Sequence, residues 1–88
     1  MNPVAAEIEA VLRQRLQPES ISLRDDGHHH IGHPGAREGG HFAVRIVAPC
    51  FAGRGKLARH RLVYDALGPL KARGIHALSI EALAPGES

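Results

Sequence analysis

Apolar residues recur at helical spacing at the start of the chain, where Val4, Ile8, Val11, Leu12 and Leu16 share one face. Asn2 can cap, Pro3 suits a first helical position and Pro18 stops the pattern, so residues 3–16 are expected to form one amphipathic helix. The period then falls to two. Residues 20–24 alternate around Ile21 and Leu23, and residues 41–47 place Phe42, Val44 and Ile46 on one face, which predicts two short strands. Residues 25–40 lie between them and carry Gly27, Gly32, Gly35, Gly39, Gly40 and Pro34. Glycine loses the most backbone entropy on ordering, so a loop is expected there. Residues 49–53 are turn-rich. Leu57, His60, Val63, Leu67 and Leu70 then recur at three- and four-residue spacing and predict a helix over 56–73, kinked or broken near its end by Gly68-Pro69 and ended by Gly74. A third strand follows over 75–82, with His76, Leu78 and Ile80 pointing the same way toward the helices, and residues 84–88 read as a frayed tail.

Two strands joined through helices within one sheet normally run parallel, so the third strand should pair parallel to the second, with the first antiparallel. The expected fold is α/β (α+β), a three-stranded mixed sheet with helices packed on one face. Eighty-eight residues suit a single domain, 1–88. The chain is 43% hydrophobic and 23% charged, a soluble composition, and no run approaches the length of a membrane span. The first residues are acidic and lack an apolar signal core, and the single cysteine, Cys50, excludes an intramolecular disulfide; a cytoplasmic location is expected. Net charge is +2, but residues 45–73 hold seven basic groups against Asp65, which is +6 and leaves −4 elsewhere. Such a segment complements a polyanion or an acidic protein surface.

Histidine is the unusual component. There are seven, and His28, His29, His30 and His33 fall together in the loop. Neutral imidazole binds zinc, iron or copper, and His30 and His33 could meet at one metal. Structural zinc wants four ligands, usually with thiolates, and the loop has no Cys, no Asp-rich run and no HExxH. The loop is therefore either a solvated segment or half of a metal centre shared with another protein. For His76, His41 and His60 a hydrogen-bonded structural role competes with ligation. Cys50 has no evident partner for nucleophilic chemistry. Arg54, Lys56, Arg59 and Arg61 open the main helix and could meet phosphates, although aromatic stacking platforms, zinc-finger spacing, GxxxxGK[ST] and GxSxG are all missing.

The joint pattern resembles the BolA family. It comprises Asp25-Asp26 leading into the histidine loop, His41-Phe42, Phe51-Ala52-Gly53, Arg59-His60-Arg61-Leu62-Val63-Tyr64, and Gly74-Ile75-His76-Ala77-Leu78-Ser79-Ile80. The resemblance implies the class II KH-like order helix-strand-strand-helix-helix-strand. It also implies a non-enzymatic role as an iron-sulfur trafficking or sensing adaptor that partners a monothiol glutaredoxin around a bridging 2Fe-2S cluster. His76 and a loop histidine, His30 with His33 as alternate, would be the cluster ligands. The glutaredoxin cysteine and a glutathione thiolate would supply the rest. The alternative it implies is a transcriptional regulator binding double-stranded DNA through Arg54, Lys56, Arg59 and Arg61. The chain departs from the family pattern at Gly40, where Thr or Ser is common, at Gly68-Pro69, and in its short tail. Cys50 lies outside the loop, which places the chain with the histidine type, and the Gly-x-x-Gly of nucleic-acid-binding KH domains is missing.

Overall fold

The computed structural model of the protein describes residues 3–26 and 40–87. The elements are α1 (Pro3–Leu16), β1 (Ser20–Asp25), β2 (Gly40–Val47), a 3-10 turn (Pro49–Phe51), α2 (Lys56–Leu67), a second 3-10 turn (Lys71–Arg73) and β3 (Ile75–Leu83). The strands form one sheet in the order β1-β2-β3, with β1 antiparallel and β3 parallel to β2. This is the expected mixed α+β architecture. Among the described residues no helix is long and apolar enough to cross a membrane.

One apolar layer joins the helices to the sheet. Ala5, Ile8 and Leu12 of α1 and Val63, Ala66 and Leu67 of α2 are buried against Phe42, Val44 and Ile46 of β2, with Phe51 wholly enclosed. Burying a side chain of this size contributes about 1.5–3 kcal/mol before entropy is counted, so these residues dominate the fold. The other sheet face presents Ser22, Arg24, Arg45, Ser79 and Glu81 to solvent, as period-two alternation requires.

The break expected at Gly68-Pro69 ends α2 at Leu67: Gly68 takes up φ 72°, where an L side chain is strained, its N–H closes on the Tyr64 carbonyl at 2.9 Å, and the rest of the span expected to 73 forms only the second 3-10 turn. Two expectations change. Leu57, expected on the buried stripe, is 65% exposed. The stripe from Leu57 to Leu70 averages less than 3.6 residues per step and so winds around the helix; at about 100° per residue Leu57 lies roughly 120° away from Val63. The tail is not frayed over residues 84–87. Ala84 is buried, its N–H donates to Glu87 Oε1 at 2.9 Å, and Glu87 N–H returns to the Ala84 carbonyl at 3.1 Å.

Candidate functional site

β2 and β3 run parallel and in step from His41↔Ala77 to Val47↔Leu83. Between Gly40↔Ile75 and His41↔Ala77 the register slips by one, and His76 is the extra residue of this β-bulge. Ile75 is 1% exposed and Leu78 is half-buried, yet they are three apart; the bulge lets both face the core and turns His76 and Ala77 outward together. His76 was expected to share the helix-facing side of the strand with Leu78 and Ile80. It is instead exposed, with its ring against that of His41, centroids 5.0 Å apart at an interplanar angle of 35°.

Glycines permit this arrangement. Gly74 adopts a left-handed φ of 83° after the second 3-10 turn, and its carbonyl accepts from the Gly40 N–H at 3.0 Å. A Cβ on Gly40 would lie 2.5 Å from Cε2 of Phe42, so the buried ring occupies space that any side chain at position 40 would claim. On the other side of β2, Asp26 N–H donates to the His41 carbonyl at 2.7 Å. Residues 26 and 40 thus both sit at the His41–His76 end of the sheet. The intervening segment carries His28, His29, His30 and His33, which lie outside the described residues. Among the described residues no group of three or more His, Cys, Asp or Glu could hold a metal ion. One exposed imidazole, supported by a second, is a donor that a metal with other ligands of its own can use.

Folding redistributes the basic charge. Three of the seven basic residues in 45–73 find acids from outside that segment: Arg45 with Glu81 at 3.2 Å, Arg59 with Glu87 at 2.5 Å, and Arg73 with Glu7 at 2.7 Å. Arg73 Nε also donates to the Leu67 carbonyl. Arg59, expected on a nucleic-acid or partner surface, spends its guanidinium inside the fold. Nε donates to the Arg54 carbonyl at 2.7 Å and Nη1 to that of Ala82 at 3.0 Å, while Nη1 and Nη2 grip both Glu87 oxygens. The Arg59 hydrogen bonds, then the Ala84 N–H, lower the Glu87 pKa to about 2. Arg54, Lys56 and Arg61 remain exposed around the start of α2, although Arg54 Nε reaches the Cys50 carbonyl at 3.0 Å. Cys50 is half-buried, with Sγ 4.0 Å from the Leu16 carbonyl.

The sequence reading missed the His41 contact and the Glu87 clasp. The odd spacing of Ile75 from Leu78, Ile80 and Ala82 was the available signal for the bulge. The clasp joins residues 28 apart and has no local signature.

The model of BolA-like proteins matches residues 12–87. An uncharacterized Sinorhizobium sp protein from the cobS 5′ region is 41% identical over 83 residues, 91% of this chain and 89% of that one. BolA-like protein 1 of Bos taurus is 40% identical over 99% of this chain, which spans 63% of the bovine protein. The solved BolA domain of SufE1 from Arabidopsis thaliana superposes with a TM-score of 0.85 at 38% identity, covering 100% of this chain and 99% of that domain.

Proposed function

The chain belongs to the BolA-like protein family, and from that membership we propose that it is a non-enzymatic adaptor that co-ligates a bridging 2Fe-2S cluster with a monothiol glutaredoxin. The observation that carries the reading is the register slip that turns His76 out of the sheet. In this reading His76 contributes one nitrogen and His30, with His33 as alternate, a second. The glutaredoxin cysteine and a glutathione thiolate complete the set. His41 holds the His76 ring from one side, and the paired β2 backbone fixes His41 in turn. Imidazole in place of thiolate raises a cluster's potential, and because a protonated imidazole cannot ligate, acid favours release.

The test is reconstitution of the cluster with a monothiol glutaredoxin, followed by visible absorption and circular dichroism. His76→Ala combined with His30→Ala should abolish the heterodimer spectrum, and His33→Ala alone should leave it intact. A double variant with an unchanged spectrum refutes the ligand assignment. The alternative reading, duplex DNA binding, draws on exposed Arg54, Lys56 and Arg61. It requires affinity that falls steeply with salt and falls again on Lys56→Ala or Arg61→Ala.

A further inference from the structure

β3 is an edge strand, paired with β2 on one side only. Successive residues of a strand direct their backbone groups to alternate sides. The Leu83 carbonyl accepts from Ala48 N–H on the β2 side at 2.9 Å, and the Ala82 carbonyl accepts from Arg59 on the other. The even-numbered residues of the regular stretch therefore direct N–H and C=O outward. Among the described residues no backbone hydrogen bond reaches that side of Leu78 or Ile80. The open stretch is bounded by the bulge at His76 and by Arg59 on Ala82. Alongside it runs a groove of about 300 Å³ between strand and helix, lined by Lys56, Arg59 and His60 of α2 and Ile80, Glu81 and Ala82 of β3.

An unpaired strand edge is a template for another strand. Its surroundings select the occupant. Pairing two copies antiparallel about Ile80 would bring two Lys56 side chains to one seam, and like charges disfavour it. Glu81, the one acid lining the groove, is already paired with Arg45. An extended segment carrying carboxylates gains where a second copy loses. We propose that the outer edge of β3 from Ala77 to Glu81 is a docking site for an acidic, extended segment of a partner protein, which adds as a fourth strand beside Lys56 and His60. The site is independent of cluster ligation, since neither His76 nor residues 27–39 take part.

The experiment uses the full chain and a short fluorescein-labelled peptide of alternating valine and glutamate. Fluorescence anisotropy gives the affinity, and amide hydrogen exchange is read at Leu78 and Ile80. The peptide is expected to bind and to slow exchange at both amides. A copy N-methylated at alternate residues, or the Lys56→Glu protein, should bind about tenfold more weakly, the scale of one or two lost hydrogen bonds or a reversed contact charge. The Arg15→Glu protein, which changes net charge equally at an exposed position on α1, should bind normally. Binding without protection of Leu78 and Ile80, equal binding of a valine-lysine peptide, or no binding overturns the proposal. So does protection of these amides by self-association or by duplex DNA in place of the peptide.

Discussion

The two ends of β3 are built in opposite ways from the same pairing with β2. At its C-terminal end the register holds through Val47↔Leu83, Ala84 is buried, and Arg59 and Glu87 close the chain back on α2. At its N-terminal end the register slips, two consecutive side chains face outward, and a pair of imidazoles stands at the mouth of a histidine-rich segment. The closed end uses its polar groups on one another. The open end keeps His76 out of the core and lets the neighbouring Ile75 do the anchoring. Core burial and solvent exposure are thus divided between residues one position apart.

The sharpest way to break this division is Ile75→Ala. Ile75 is 1% exposed and sits immediately before the bulge, so truncation should cost about 2–4 kcal/mol by urea denaturation and disorder the open end along with the core. Gly40→Ala should cost less, about 1–2 kcal/mol, because the new Cβ meets the Phe42 ring at 2.5 Å and that ring has little room to retreat. Amide exchange at Ala77 and Ser79, whose N–H groups face β2, should rise in the Gly40 variant while residues near Leu83 stay protected. Uniform loss of protection along β3 would show that the ends are not separable.

Glu87→Gln tests the closed end and should have a smaller effect. The folded-state pKa of Glu87 is lowered from 4.5 to about 2, chiefly by its hydrogen bonds from Arg59. A lowered carboxyl pKa means the ionised form stabilises the fold, fully above the unfolded value and progressively less as pH falls through the folded one. Wild type should therefore melt above the variant at neutral pH. Their Tm values should converge as pH drops from 4.5 toward 2. Glu87 is the solvent-accessible partner, so added salt should narrow the difference as well. A gap independent of pH would assign the effect to packing.

Much of this architecture was legible in the sequence because each element advertises its period. Val4, Ile8 and Leu12 repeat as a helix does, Phe42, Val44 and Ile46 as a strand does, and the parallel pairing of β3 follows from the intervening helix. Periodicity fails where a register changes. Counting by two from Leu78 puts His76 on the inner face, and only the buried Ile75, out of phase with it, betrays the bulge. Charge reading fails for another reason. Arg45, Arg59 and Arg73 look like one basic segment along the chain, but their acids, Glu81, Glu87 and Glu7, come from both termini. The proposed loop ligand, His30, was named from family resemblance alone and lies outside the described residues.

His76→Ala is expected to have the smallest effect on folding, and for that reason it separates the two ends most cleanly. Its side chain is exposed, among the described residues its ring packs against that of His41 alone, and the bulge that displays it is held by Ile75 and by the Gly40–Gly74 hydrogen bond. Losing one exposed ring contact should change unfolding free energy by no more than about 0.5 kcal/mol, the usual range for surface substitutions. A bulge maintained by its neighbours should also survive, so exchange at Ala77 and Ser79 should stay at the wild-type rate. His76→Phe then tells packing from ligation, since it keeps a ring beside His41 but offers no nitrogen. If the open end exists to present a donor, both variants fold normally and both fail to support the heterodimer spectrum. If Phe retains that spectrum, His76 serves His41 rather than a metal. If Ala destabilises the fold as strongly as Gly40→Ala does, the slip at the N-terminal end of β3 is a structural feature like the clasp at the other.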